Sequence, residues 1–173
     1  MKTVLTKTTY LEMRAPRQTD SSPPADARSA GFRVENWHPL EVARYRWLYN
    51  SVGGDWNWGD RNRMAEHELA AILADPLVEV HVLHVDGEPA GFAELDRRQP
   101  NEVELAYFGL FPAFIGRGLG KAFLEWTVNQ AWTTTPDRVW LHTCDLDHPA
   151  ALNNYLRAGF EIFDERMVEQ VVD

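Results

Sequence analysis

The chain predicts a mixed α and β domain built around an antiparallel meander. Three strand patterns follow one another between residues 78 and 111, joined by turn chemistry. Two helical patterns precede them. A helix, a strand, a second helix and a last strand follow. Consecutive strands leave no place for the crossover helices of a doubly wound parallel sheet, so the class is mixed and not parallel α/β.

Each element has its own justification. Residues 1–30 read as a tail: T-T-Y-L-E-M-R has strand character and is compatible with pairing on a neighbouring chain, hence with a homodimer. Q-T-D-S-S-P-P-A-D-A-R-S-A is linker chemistry. The folded domain is therefore expected over 31–173. F-R-V-E-N-W reads as its first strand. P-L-E-V-A-R-Y-R-W-L-Y-N-S-V reads as a helix, with Leu40, Ala43, Trp47 and Val52 near helical spacing. G-G-D-W-N-W-G-D is a loop, and R-M-A-E-H-E-L-A-A-I-L-A-D-P a helix stopped before Pro76. Val78, Val80 and Val82 alternate along a strand, Asp86-Gly87 turns the chain into P-A-G-F-A-E-L, and N-E-V-E-L-A-Y-F-G-L-F follows with Gly109 as the expected bulge. Leu119, Ala122, Phe123 and Trp126 stripe a helix that runs to about Trp132. Val139 and Leu141 alternate against Trp140 and His142 on a strand. A short helix then ends at Gly159, and E-I-F-D-E-R-M-V-E-Q-V-V closes the chain as a strand.

Composition narrows the function classes. Of 173 residues, 45% are hydrophobic and 25% charged, the balance of a globular domain with a real core. The formal net charge is −9, and residues 31–173 carry 12 Lys/Arg against 23 Asp/Glu. That argues against general nucleic-acid binding, which needs a basic face, and is compatible with amine or cationic substrates. A single cysteine, Cys144, excludes an internal disulfide and a cysteine-rich metal site, and makes a reducing, cytoplasmic compartment the expectation. The first residues are too polar for a signal peptide, and no apolar run reaches the roughly 18–20 residues of a membrane span. His81 and His84 lie three apart on a strand, which is poor metal geometry, so no metal is expected.

The most informative stretch is F-I-G-R-G-L-G-K-A-F, Phe114 to Phe123. Its glycines fail the G-x-G-x-x-G count of a dinucleotide loop, because lysine stands where the third glycine belongs. They also fail the G-x-x-x-x-G-K-[ST] count of a Walker loop, because Ala122 follows Lys121. The spacing is G-x-G-x-G, leading into a helix. Helix starts favour acids, yet this one carries Arg117 and Lys121 and no acid before Glu125. Free backbone N–H groups, a positive helix end and two cations together imply a bound polyanion, and a diphosphate is the natural candidate.

At this point the sequence resembles the GNAT superfamily of acyl-CoA-dependent N-acyltransferases. Their cofactor loop, Gln/Arg-x-x-Gly-x-Gly/Ala, is similar to I-G-R-G-L-G, Ile115 to Gly120, with Ile in place of Gln or Arg. A second element, Asn-x-x-Ala-x-x-Leu-Tyr-x-x-x-Gly-Phe, resembles His148 to Phe160. It keeps Ala151, Tyr155, Gly159 and Phe160, and puts His148 for the Asn and Asn154 for the Leu. The resemblance covers roughly Phe32 to Val172. It implies a central, mostly antiparallel twisted sheet, splayed at the cofactor site, with helices on both faces. It implies acetyl-CoA as co-substrate, held by Ile115, Gly116, Arg117, Gly118, Leu119, Gly120, Lys121 and His148. The main chain of Leu110 and Phe111 would run beside the pantetheine arm as an added strand.

Acyl transfer to an amine needs a base, because a lysine-type amine has a pKa of about 10.4. Glu104 is the candidate by the resemblance; as an alternative it is the solvent-facing member of V-E-L. Glu94 and Glu102 are rivals, and Glu94, on the adjacent strand, is also placed to hold a substrate cation. The thioester oxygen needs a donor; the resemblance implies a main-chain N–H at the bulge of this strand, which maps to about Leu110. Tyr155 matches the family's general acid for the leaving thiolate. Cys144, alone on a strand, is expected to be packed and inert. Trp56 and Trp58 flank Asn57 in the loop that covers the acceptor site in the resembling family. Aromatic faces and nearby carboxylates suit an ammonium, though either tryptophan could equally anchor the loop to the core. The leading expectation is an N-acetyltransferase acting on a small or amino-acid-like primary amine. Alternatives are an acyl-CoA-binding regulatory or sensor domain, and a protein lysine or N-terminal acetyltransferase.

Overall fold

The computed structural model describes residues 2–17 and 31–172; the linker expected before residue 31 falls mainly on 18–30, outside the described residues. The elements in chain order are β1 (Lys2–Met13), β2 (Arg33–Asn36), α1 (Val42–Gly53), α2 (Asp60–Arg63), α3 (Glu66–Ala74), β3 (Val78–Val85), β4 (Glu88–Asp96), β5 (Glu102–Leu110), α4 (Leu119–Trp132), β6 (Arg138–Cys144), α5 (Ala151–Ala158) and β7 (Glu161–Val172). All seven strands form one sheet in the order β2-β3-β4-β5-β6-β1-β7. The meander is antiparallel, and β1 is antiparallel to both β6 and β7. Among the described strands, β5 and β6 alone run parallel, and the helix between them supplies the crossover that a parallel pair needs.

The strand read in the first residues is thus an inner strand of its own chain's sheet, between β6 and β7. Leu11 and Met13 join the main core beside Val139, Leu141 and the apolar stripe of α4.

Helices cover the sheet on both faces. Alternate residues of the same strands reach two different cores. Leu83, Ala93, Leu95, Val103 and Leu105 pack with Leu119, Ala122, Phe123 and Val128 of α4. Val80, Val82 and Phe92 pack with Tyr45, Leu48, Tyr49 and Val52 of α1 and Leu69 and Leu73 of α3. This is the period-2 alternation of strands meeting the 3.6-residue stripe of helices. Being covered on both sides, β3 is buried along nearly its whole length, His81 and His84 included.

Two expectations change for physical reasons. The stripe of α1 is Tyr45, Leu48, Tyr49, Val52, a cleaner i, i+3, i+4, i+7 series than the one through Ala43 and Trp47. Trp47 is exposed at 46% and sits edge-on to Phe111, ring centroids 5.3 Å apart. The bulge of β5 falls at Ala106, skipped between the pairs Leu95–Leu105 and Glu94–Tyr107, and not at Gly109. Gly109 is needed for a different reason. A Cβ there would stand 2.3 Å from Cγ1 of Val52, so the missing side chain lets α1 lie against β5.

The far end of α4 is tied down from the sheet. Arg97, just past β4, donates to the carbonyls of Gln130 (2.9 Å) and Ala131 (3.0 Å) and pairs with Glu79 of β3 at 2.5 Å. A cation on the last carbonyls satisfies groups the helix leaves open and complements its dipole. No helix among the described residues is long and apolar enough to cross a membrane.

Candidate active site

The parallel pair β5–β6 is short. Its ladder holds Glu102–Arg138, Val103–Val139 and Glu104–Trp140, and then stops. β5 continues to Leu110 and β6 to Cys144 without further pairing, so the sheet forks just beyond Glu104. The main chain of β5 beyond that point has one edge bound to β4 and one edge open. Gly91 and Leu110 face each other, and the next N–H, that of Phe111, donates to Ala90 O at 2.7 Å. The Gly91–Leu110 rung is therefore a non-hydrogen-bonded pair, and the N–H and C=O of Leu110 turn away from β4 toward the fork. The N–H of Phe111 is spent on β4 and its carbonyl accepts from the Phe114 N–H at 2.9 Å, so the main-chain pairing expected of Phe111 falls to Leu110 alone.

Glu104 stands at the crotch of this fork. It lies opposite Asp96 on one side and Trp140 on the other, so the three side chains share a face. The Glu104 side chain is 26% exposed, and its carboxyl is pushed up to about 7 by burial, with the negative charges of Asp96 and Glu94 adding to it. Asp96 itself is held by Arg98 at 2.6 Å. Nε2 of His142, two residues on from Trp140 and on the same face, lies 3.9 Å from Glu104 Oε1.

Glu94, the other expected substrate residue, is fully buried. Its Oε2 lies 2.5 Å from Nη2 of Arg61, itself buried, and the guanidinium sits over the Tyr45 and Tyr107 rings at 5.9 and 5.3 Å. Burial raises the Glu94 carboxyl and the Arg61 charge opposes that rise. The cation that the sequence suggested for Glu94 is thus supplied by the chain itself.

The glycine loop runs out of a 3₁₀ turn, Pro112–Phe114, into α4. Gly116 and Gly118 adopt φ of +82° and +74°, and a Cβ on either would meet nothing within 4 Å. Both need the left-handed region, and the space around both is open to a ligand approaching the backbone. Gly118 caps α4, whose first turn has no acid. Arg117 and Lys121 are exposed, and Arg117 lies over the Phe114 ring at 5.4 Å. Ile115, where the resembling families carry Gln or Arg, is 43% exposed. Leu119 instead points inward as part of the core. These features fit a diphosphate: donors, positive potential and room.

Tyr155 on α5 packs against Phe108 of β5 and Phe160, ring centroids 6.5 and 6.2 Å away. Burial, with the charge of Asp147 adding to it, raises its phenol well above the ordinary value, so it holds its proton. The tryptophans of the α1–α2 loop separate in role. Trp56 meets the ring of His148 edge-on at 4.9 Å, joining the loop to the segment before α5. Trp58 is half-buried against Tyr49 and Tyr107 at 5.3 and 5.2 Å, with its Nε1 3.4 Å from Asp147 Oδ1. A Cβ on Gly53 would stand 2.4 Å from Trp58, so this ring is seated tightly on α1.

Arg61, Asp96, His142 and Asp147 went unread in the sequence. Asp147 lies ahead of α5, which begins at Ala151, and caps the end of β6 instead. Its Oδ2 accepts from Thr143 Oγ1 (2.5 Å) and Cys144 N (2.9 Å). The one usable signal was the alternation V-W-L-H-T, which puts His142 on the side of the sheet away from α4; what it faces there depends on the register with β5. Among the described residues, no three or more His, Cys, Asp or Glu are grouped to hold a metal ion.

Comparison with known proteins bears on the family and the fold. The family described as Acetyltransferase (GNAT) family matches residues 37–160. An uncharacterized N-acetyltransferase of Lactobacillus delbrueckii subsp. lactis is 29% identical over 109 residues, 59% of this chain and 62% of that protein. A putative GNAT acetyltransferase of Novosphingobium aromaticivorans superposes with a TM-score of 0.65 at 15% identity, over 96% of this chain and 65% of that one. A Bacillus subtilis acetyltransferase solved in complex with CoA superposes with a TM-score of 0.57 at 18% identity, over 77% and 78%. The chain thus spans somewhat less than two thirds of the first two of these relatives. With the family match covering most of its length, from the residue after β2 to the end of the α5 motif, the chain belongs to the GNAT acetyltransferase family.

Proposed function

We propose that the protein moves an acetyl group from acetyl-CoA to a primary amine by direct attack of the amine on the thioester. The observation that carries this reading is the fork, with Glu104 at its last rung and an unpaired edge of β5 leading to the glycine loop. The backbone of Gly116 to Gly120 cradles the diphosphate, with Arg117 and Lys121 supplying charge in place of the side chain that Ile115 lacks. His148, docked on Trp56, borders the cofactor end. The open edge at Leu110 pairs with the pantetheine arm, and an open main-chain N–H of β5 nearer Glu104 faces the thioester oxygen as charge develops there.

Glu104 takes the proton from the acceptor ammonium. A carboxylate near 7 is better matched to this task than one at its ordinary value, since it binds the proton more strongly while still ionising at neutral pH. Tyr155, kept protonated by its burial, supplies a proton to the leaving thiolate. The acceptor is a small or amino-acid-like primary amine. Its ammonium is met by Glu104 and by the tryptophan loop, since Glu94 already holds Arg61.

A thiol-release assay with acetyl-CoA and a panel of tyramine, spermidine, lysine, glucosamine and a peptide with a free N-terminus tests this. At least one amine should release CoA well above the rate without acceptor, and Glu104→Gln should cut that release by about 100-fold or more. Release of CoA by none of them, with acetyl-CoA still stabilising the protein, would instead mark a binding domain.

A further inference from the structure

We propose that His142 is a positioning residue for the proton, acting through Glu104: it accepts the proton that Glu104 removes from the amine and passes it to solvent. This rests on Glu104 being the base. Three observations carry it. His142 Nε2 lies 3.9 Å from Glu104 Oε1, the pair sitting at the point where β5 and β6 part. Such contacts in a protein without its substrates run long and tighten when the site fills. The His142 side chain is 46% exposed against 26% for Glu104, so the imidazole is the more open of the two to water. The other cations near Glu104 are committed, Arg61 to Glu94 and Arg98 to Asp96, and neither releases a proton at neutral pH. His142 is the neighbour that can.

The surroundings of the ring suit a transient imidazolium. Glu104 faces it from β5. Tyr10 of β1 lies 5.7 Å away between ring centroids, with Arg166 of β7 on Tyr10 at 4.9 Å. Trp140 of its own strand is 6.4 Å away. The charges of Asp147, after β6, and Asp60, on α2, favour the protonated ring, while partial burial holds the ring below its ordinary value. The ring is therefore neutral at rest and takes a proton only in passing.

The step balances. The ammonium gives its first proton to Glu104, and the nitrogen lone pair forms the N–C bond. The C–S bond breaks with its electron pair on sulfur, which takes the Tyr155 proton. The second proton on nitrogen restores Tyr155, and the first leaves through His142. One proton is released to water for each amide made.

The test uses the full chain and the best amine of the panel above. In the wild type both groups must be unprotonated, so the acid limb of log kcat/KM against pH steepens toward a slope of two; in His142→Gln it falls to one, with turnover down about ten-fold. His142→Ala regains turnover in proportion to added imidazole, which a merely structural histidine does not allow. An unchanged slope in His142→Gln or no imidazole rescue overturns the relay and leaves Glu104 as base. Near wild-type activity in Glu104→Gln sinks the base assignment itself, and with it the relay that was to act through Glu104.

Discussion

At the scale of single residues, Glu104 trades stability for chemistry. Its carboxyl sits near 7 in the folded chain, against about 4.5 when unfolded, because burial and the charges of Asp96 and Glu94 oppose ionisation. Between those values the folded state binds the more protons, so stability falls as pH rises, and above about 7 the whole penalty is present. Glu104→Gln removes the charge and keeps the shape. Discounted for partial exposure, the variant should gain about 2 kcal/mol at about pH 8 and nothing at about pH 4.5. Urea unfolding at the two values checks this, and an equal effect at both would show that the group does not titrate in this range. Glu79 behaves in the opposite sense. Buried beside His81 and Arg97, it is held down to about 2, so its contribution is complete above its ordinary value and lost as pH falls toward 2. A stabilised carboxylate ties β3 to the end of α4, while a destabilised one stands at the fork. That contrast separates structural from chemical acids better than burial alone.

At the scale of elements, the start of α4 is unlike that of α3. Glu66 and Glu68 stand in the first turn of α3, where they complement the dipole, and Glu68 reaches back to the Ala65 N–H at 3.3 Å. α4 has no acid there and no side-chain cap, only Gly118 in the left-handed region with Arg117 before it and Lys121 within the first turn. The apo helix forgoes a stabilising interaction that an anionic ligand would supply. Replacing Arg117 and Lys121 together by Ala should weaken CoA by roughly 2- to 30-fold. It should leave acetyl-pantetheine, which lacks the diphosphate, within about two-fold, as each exposed pair contributes roughly 0.2–1 kcal/mol to phosphate binding. Calorimetry on both ligands measures this, and equal losses on the two would place the diphosphate elsewhere. This element was legible in the sequence because everything that makes it work is local: glycines for positive φ, missing acids, two cations. The fork was not, since it depends on where two strands stop pairing. The alternation around Glu104 and His142 was readable on each strand; the rung that brings them together was not. Arg61 was hidden for the same reason, on a four-residue helix whose partner, Glu94, is 33 positions away.

At the scale of the molecule, the order of elements from β2 to β7 follows from the sequence pattern, and the place of β1 does not. Nothing local in Lys2–Met13 distinguishes an inner strand from an exchanged or edge one, and its partners lie more than 120 residues away. Yet the sheet depends on it. Among the described residues β7 is hydrogen-bonded only to β1, over eleven paired positions, so without β1 it has no neighbour there, and β6 becomes an edge. β1 also carries Leu11 and Met13 into the core and buries Thr6, Thr8 and Thr9. Its contribution is graded along its length: residues 8–12 lie between two strands, while residues 2–7 pair with β7 alone and leave Leu5 62% exposed. Leu11→Ala should therefore cost about 3 kcal/mol, and Leu5→Ala under about 0.5 kcal/mol. A chain lacking residues 1–14 should lose its cooperative melting transition and regain it when a peptide of residues 2–14 is added, because the vacated slot offers unpaired backbone on both sides. The fork is built from β6, which β1 holds in place from its other edge. The truncated chain should accordingly lose acetyl-CoA binding along with its fold, and both should return with the peptide. A truncated chain that melts like the full one would mean that β6 and β7 close on each other without β1.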